Sequence, residues 1–306
     1  MLTFLREASL VPPNIVTENC SDHIIRLIKR DVNQTILPKF SFNSVVDGRI
    51  NILIPHLPPD QVDPEEIKRY DLIVFFNYWQ QQMYNLFLDV PYSNGIVMRD
   101  AIDPIVTHEK PRLSTNILYA GDMNKGLDIV LASFKRLTKR KFPNARLIVC
   151  TDRGNKRKLP SHLEGLESEL ISNTKIDWYR KCDDDFMRGV YYRSHIFAYP
   201  TDYPEVSYTP LIRAMSASCF CLHSSYGSLP ETSLSNTSMY GYDEDRLQHA
   251  NKFTSELEGT LNIYNHKGLR ASMMRELENR KSSIDDVYNW KKRSYQWNDL
   301  LLNLLT

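Results

Sequence analysis

The segment Ala198-Tyr-Pro-Thr-Asp-Tyr-Pro-Glu-Val-Ser-Tyr-Thr-Pro-Leu-Ile-Arg-Ala-Met215 carries the densest chemistry in the chain. It sets a carboxylate, Glu205, and two hydroxyls, Ser207 and Thr209, after a strand-like run and before a helix that Pro210 suits as a first-turn residue. In a parallel sheet such a strand mouth is where ligands bind. Glu205 can face a ligand there, or simply favour the dipole of the helix that follows. A second candidate is the turn Gly121-Asp-Met-Asn-Lys-Gly126. Its glycines have P-loop spacing, but Leu127 and Asp128 stand where Lys and Ser/Thr would grip phosphate and magnesium, which excludes a P-loop NTPase. What is left is Lys125 at a helix N-terminus, where N–H groups, the dipole and an ammonium together can hold a diphosphate. A solvated turn lysine is the plain alternative.

Other groups carry less. Ser224-Ser-Tyr-Gly-Ser-Leu-Pro-Glu231 forms a further strand mouth whose Gly227 permits close approach of backbone to a ligand. Asp183, Asp184 and Asp185 could bind a metal, yet they open a helix, where N-cap and first-turn aspartates belong. Lys156, Arg157 and Lys158 lack interleaved aromatics and read as a solvated loop rather than a nucleic-acid contact. His56 follows a strand and can face a cleft or be an uninvolved surface histidine.

The elements that must position these residues are clearest from about residue 114 onward. Strands are expected at 116–120, 145–150, 176–179, 195–199 and 219–223, and helices at 159–171, 183–192 and 210–217. Another helix follows residue 126, where Leu127, Val130, Leu131, Phe134 and Leu137 have helical spacing and Lys139, Arg140 and Lys141 close the end. This alternation predicts a doubly wound, Rossmann-like domain. The first ~112 residues predict a smaller α/β domain with strands at 50–54, 72–76 and 95–98. Only Gly48 and Gly95 occur there, so nucleotide binding is expected in the second half. The stretch 104–113, with two prolines, reads as a linker. In the tail, Val287, Trp290, Tyr295, Trp297, Leu300, Leu301 and Leu304 predict helix packed on apolar surface. The expected domains are 1–112, 113–285 and a terminal helix over 286–306 that packs back toward the first.

Composition bounds the partners. The 306 residues carry a net charge of +1, with 42% hydrophobic and 25% charged residues, so the chain is an ordinary globular protein with no global attraction to nucleic acid or anionic lipid. Five cysteines without a CxxC pair support neither a disulfide framework nor a zinc ribbon and point to a reducing, cytoplasmic compartment. The densest apolar run, 72–76, is far too short to span a bilayer, and no transmembrane segment is expected.

Taken in order, Tyr119-Ala-Gly-Asp-Met-Asn-Lys-Gly-Leu-Asp128, Pro143-Asn-Ala-Arg-Leu-Ile-Val149, the Tyr199-Pro-Thr and Pro-Glu-Val-Ser stretches with Ala214 and Met215, and Gly227-Ser-Leu-Pro-Glu231 resemble the nucleotide-sugar-binding half of GT-B glycosyltransferases, most of all the large retaining group. The resemblance covers roughly residues 90–300. It implies an α/β GT-B fold of two Rossmann-like domains with parallel sheets facing a cleft, the N-terminal one small. It implies transfer of a sugar from a nucleotide-diphosphate sugar to an acceptor hydroxyl, retaining and metal-independent, with no cofactor besides the donor substrate. The acceptor would be a glycan, or lipid-linked or protein-linked. On this resemblance Lys125 holds the donor diphosphate and Glu205 touches the donor sugar. Gly121, Asp122, Tyr179, Arg180, Val206, Ser207, Tyr208, Thr209 and Arg213 border the donor, while His56 and Asn77 lie on the acceptor side. Lys181 is a further candidate beside the base.

The chain departs from the group at two points. Arg213 stands where a second glutamate is usual, and Asp122 where a basic residue is common, an exchange that could let Asp122 accept from the ribose or pair with Arg213. The same departure motivates the alternative that the protein is a catalytically lapsed GT-B chain acting as a binding or scaffold module. A nucleotide-sugar epimerase of the same architecture is a third possibility.

Overall fold

The computed structural model describes residues 20–107, 109–151, 165–180 and 182–306. They divide into two compact units: unit 1 comprises the described residues up to Asp103 together with Glu205–Tyr208 and Tyr288–Thr306, and unit 2 comprises those from Pro104 to Pro204 together with Thr209–Val287. Unit 1 begins with α1 (Cys20–Asp31), β1 (Phe40–Phe42), β2 (Ile50–Leu53), α2 (Pro64–Ile67), β3 (Leu72–Phe75), α3 (Tyr78–Leu88) and β4 (Gly95–Val97). Unit 2 contains β5 (Thr115–Ala120), α4 (Leu127–Arg140), β6 (Ala145–Thr151), α5 (Leu166–Ser172), β7 (Ile176–Arg180), α6 (Asp184–Arg193) and β8 (Ile196–Tyr199). It continues with α7 (Thr209–Ser216), β9 (Phe220–Ser224), α8 (Leu229–Ser233), β10 (Ser238–Tyr240), α9 (Arg246–Asn265) and α10 (Lys267–Val287), after which α11 (Trp290–Asn303) returns to unit 1.

Unit 1 is a four-stranded parallel sheet in the order β1-β2-β3-β4. Its central strand is apolar at every position because both faces are covered. With the two-residue period of a strand, Leu72, Val74 and then Phe76 face a cluster containing Ile24, Ile28, Phe40 and Ile52, while Ile73 and Phe75 face another with Ile67, Tyr84 and Val90. The first cluster is closed by Trp290, Trp297 and Leu301 of α11, which share one helical face. Trp297 meets Phe42 edge to face at 6.3 Å, and the Trp290 indole N–H donates to Asp31 at 2.5 Å.

Unit 2 is a six-stranded parallel sheet in the order β10-β9-β8-β5-β6-β7. The expected face of α4, Leu127, Val130, Leu131, Phe134 and Leu137, is buried. The three-residue strands β1 and β10 are additions to the sequence expectation, too short to show a period. Part of the helix expected over 159–171, and Lys156, Arg157, Lys158 and Lys181, lie outside the described residues.

The stretch 104–113 is not a slack linker. The Ile105 N–H donates to Ser216 Oγ at 2.9 Å, and the Lys110 ammonium is buried among carbonyls. It donates to Ser194 O at 2.5 Å and Ala217 O at 2.9 Å, and at 3.4 Å to Tyr192 O. These carbonyls lie at the C-terminal ends of α6 and α7, where unsatisfied carbonyls and the helix dipole both favour a cation.

Candidate functional site

In unit 2, β5 and β8 pair directly, Ile117 with Ile196 and Leu118 with Phe197. From β5 the chain runs to β6 and β7 on one side, and from β8 to β9 and β10 on the other. This is the switch point of the sheet, and the crevice outside its carboxyl ends is where open α/β sheets bind ligands. The loop after β5 is held by its own backbone. Gly121 N–H donates to Cys150 O at 3.1 Å, and the Asp122 carbonyl accepts from both Lys125 N–H (3.1 Å) and the Tyr119 hydroxyl (2.5 Å). Gly126 then turns the chain into α4 at φ +96°, and a β-carbon there would lie 2.2 Å from the Pro200 carbonyl oxygen of the β8 loop. Only glycine fits both demands.

Lys125 rests its ammonium 4.0 Å over the ring of Tyr203 in the β8 loop, a cation–π contact across the switch point. Behind it, Arg246 at the start of α9 grips Asp128 of α4 at 2.7 Å and also pairs with Asp202 of the β8 loop. Burial opposes the Arg246 charge, but the two aspartates outweigh it and hold the guanidinium above its ordinary value. The β8 loop is further tied by Ser224 Oγ donating to Thr201 O at 2.7 Å.

Tyr179 and Arg180 end β7 at the sheet edge. Tyr179 packs edge to face on Phe186 at 4.8 Å, and the Arg180 guanidinium lies 3.7 Å over Trp178. Thr209 opens α7. Arg213, one turn further on, does not pair with Asp122 as the exchange would have it. Its Nη1 donates to Asp184 Oδ1 at 2.9 Å, because α7 packs against α6 and brings Arg213 to the first turn of that helix. Asp183 is the N-cap of α6 and accepts from Phe186 N–H at 2.7 Å, so the aspartate run serves the helix start.

In unit 1, the segment Glu205–Tyr208 is buried throughout. Asn77 uses both ends of its amide within unit 1. Its Oδ1 caps α3 by accepting from Gln80 N–H at 2.8 Å, and its Nδ2 donates to the Val206 carbonyl at 2.6 Å. The Ser207 hydroxyl donates to Asp100 Oδ2 at 3.1 Å. His56 is half-buried, and desolvation holds its pKa below the usual value against a weaker opposing pull from Asp22.

Residues 114–252 match the family model described as glycosyl transferases group 1. No curated protein matches the chain in sequence. Among solved structures, a glycosyltransferase from Rickettsia africae superposes with a TM-score of 0.68 at 13% identity, covering 94% of this chain and 81% of that one. Sucrose-phosphate synthase from Thermosynechococcus elongatus gives 0.65 at 13% identity, over 84% and 68%. HepE of Anabaena, solved with UDP-glucose, gives 0.63 at 11% identity, over 84% and 72%. Residues 114–252 therefore carry a glycosyl transferases group 1 domain, and the chain has the GT-B fold.

Several residues of this GT-B fold escape a reading of its sequence. Tyr203 lies two places before Glu205, but its partner Lys125 is on another strand mouth and only the sheet order joins them. Asp100 and Gln80 sit in no motif. Among the described residues, no group of three or more His, Cys, Asp or Glu is placed to hold a metal ion, and no helix is long and apolar enough to cross a membrane.

Proposed function

We propose that the protein transfers a sugar from a nucleotide-diphosphate sugar to an acceptor hydroxyl, with retention and without a metal ion. The observation that carries this reading is the switch point of unit 2, where a cation and a helix start that is uncapped by any side chain meet at the mouth of β5. As the bond between the anomeric carbon and the diphosphate oxygen breaks, negative charge grows on the diphosphate. The Lys125 ammonium and the first N–H groups of α4 suit that charge. The sugar becomes oxocarbenium-like, which a nearby carboxylate favours, and Glu205 takes that place and orients the donor hydroxyls. Metal independence is supported by the aspartates of α6, since Asp183 is spent on capping and Asp184 on Arg213. Tyr179 and Arg180 border the base, and Gly121, Asp122 and Thr209 line the diphosphate side of the donor. The acceptor, a glycan or a lipid-linked or protein-linked hydroxyl, is taken by unit 1 on the side of His56. The buried thiols Cys150, Cys219 and Cys221 suit a reducing, cytoplasmic setting.

A panel of nucleotide sugars in thermal-shift measurements tests the reading. A true donor at 100 times its Kd adds about 2.7 kcal/mol of stability, and turnover of that donor should survive EDTA. If no nucleotide sugar stabilises the protein, the reading fails. If turnover is lost to EDTA and restored by manganese, the metal-free part fails. One observation favours a second reading. Arg213 is committed to Asp184 at the position where the resemblance expects a glutamate, so tight donor binding with neither transfer nor hydrolysis would make the protein a binding module.

A further inference from the structure

The four residues Glu205–Tyr208 are flanked on both sides by unit 2 in sequence but belong to unit 1, so something in unit 1 must hold them. A buried segment this short forms no ladder of its own, and each of its buried polar groups needs a partner. Two of those partners are side chains that are themselves almost wholly buried, Asn77 at 3% exposure and Asp100 at 2%.

We propose that Asn77 and Asp100 are positioning residues that fix the Glu205 carboxylate by holding the two residues that follow it, an assignment that rests on the sugar-transfer reading above. Asn77 follows β3, and its Nδ2 donates to the Val206 carbonyl at 2.6 Å. It cannot swing away, because its Oδ1 is the N-cap of α3. That cap is locked in turn by Gln80, fully buried, whose Oε1 accepts from Phe76 N–H at 2.9 Å and whose Nε2 donates to Pro55 O at 2.8 Å. Val206 is thereby referenced to the carboxyl ends of β2 and β3. Asp100 follows β4. Its Oδ1 accepts from Ala101 N–H at 2.7 Å, which sets the carboxylate, and its Oδ2 accepts from the Ser207 hydroxyl at 3.1 Å.

One anchor would leave the segment free to pivot. Two anchors on consecutive residues, from two different strand ends, fix both where Glu205 sits and which way its side chain leaves the backbone. A catalytic carboxylate gains from this because small misplacement is costly in rate, whereas nucleotide held at the β5 mouth is indifferent to it.

The test uses the full chain as Asn77→Ala, Asp100→Ala and Asp100→Asn, the last of which can keep Oδ1 on the Ala101 N–H while its amide group donates to Ser207 Oγ. Hydrogen exchange at the amides of residues 206–209 should quicken about tenfold in both alanine variants, the equivalent of one lost hydrogen bond. It should stay near wild type in Asp100→Asn, and elsewhere in unit 1 only the first turn of α3, which Asn77 caps, should respond to Asn77→Ala. Unaltered exchange in the alanine variants overturns the proposal whatever the protein catalyses. In sugar transfer, kcat should fall about 10–100-fold with affinity for the nucleotide diphosphate unchanged, and Asp100→Asn should recover most of the loss. Parallel loss of kcat and nucleotide affinity would mark general damage and also overturn it. If the wild type transfers no sugar, the functional reading fails while the exchange result still decides whether the segment is clamped. Should Asp100→Ala not fold, Ser207→Ala breaks the same bond and carries the same exchange expectation.

Discussion

At the carboxyl ends of β5 and β8 in unit 2, backbone meets backbone: Gly126 has no side chain and sits against the Pro200 carbonyl, while Lys125 reaches across onto Tyr203 and Arg246 ties Asp128 to Asp202 behind it. At the carboxyl ends of β3 and β4 in unit 1, side chains do the holding, with Asn77 on Val206 and Asp100 on Ser207. The first arrangement sets a cation beside a helix start that no side chain caps. The second uses up polar groups to immobilise a segment. A nucleotide diphosphate asks for the one and a carboxylate that must not wander asks for the other.

The sharpest way to break this contrast is at the bare turn. Gly126→Ala should cost about 3–5 kcal/mol, combining a left-handed backbone with a collision against a carbonyl. Gly165→Ala, at a similar φ of +91° but with nothing within 4 Å, should cost only about 1 kcal/mol. Equal losses in urea denaturation would show that backbone conformation, not the close approach, makes the turn.

Acidification should single out unit 2. Burial, with help from Lys110 and Arg270, pulls His195 down to about 3, and burial pulls His223 down to about 4, both from 6.5. The unfolded chain therefore takes up protons first. Stability is full above 6.5 and falls as pH drops below it, approaching about 1.4 kcal/mol per pH unit for each histidine until the folded values are reached. Denaturation midpoints that stay flat from neutrality to about pH 5 would contradict this.

Much of unit 2 is legible without coordinates, and the reason is local. The α4 stripe from Leu127 to Leu137 and the glycines at either end of the β5 turn announce themselves by spacing. What sequence hides is membership. Glu205–Tyr208 is bordered on both sides by residues of unit 2, and no periodicity says that it docks on Asn77 and Asp100. Lys110 sits in a proline-marked polar stretch that reads as linker, and only the convergence of two helix ends turns its ammonium into a buried cap. Arg213 illustrates the same limit, since its partner Asp184 is set by the packing of α7 on α6.

Two smaller effects sharpen the comparison. Lys125→Ala should weaken nucleotide-diphosphate binding by about 1.5–3 kcal/mol, the scale of a charge-assisted hydrogen bond. Titration calorimetry showing unchanged affinity would reduce the lysine to a turn residue. Arg213→Ala, which breaks a pair with the half-exposed Asp184, should change stability by about 1 kcal/mol or less. Arg213→Glu should impair donor binding. A gain of transfer in that variant would instead favour the binding-module reading.

The position of α11 has a consequence for how the protein is made. Trp290, Trp297 and Leu301 complete the apolar cluster built on Phe40, Ile52 and Phe76, yet they are synthesised only after unit 2 has been made. α11 ends at Asn303, about 200 positions after Asp103. At about 5–20 residues per second, roughly 10–40 s pass in which the early half of unit 1 is already outside the ribosome with its core unfinished. Unit 2 is made within that interval and can fold during it. Unit 1 therefore closes only after unit 2 has been made, and its uncovered Phe40 and Ile52 are the surface that a chaperone would meet on the nascent protein.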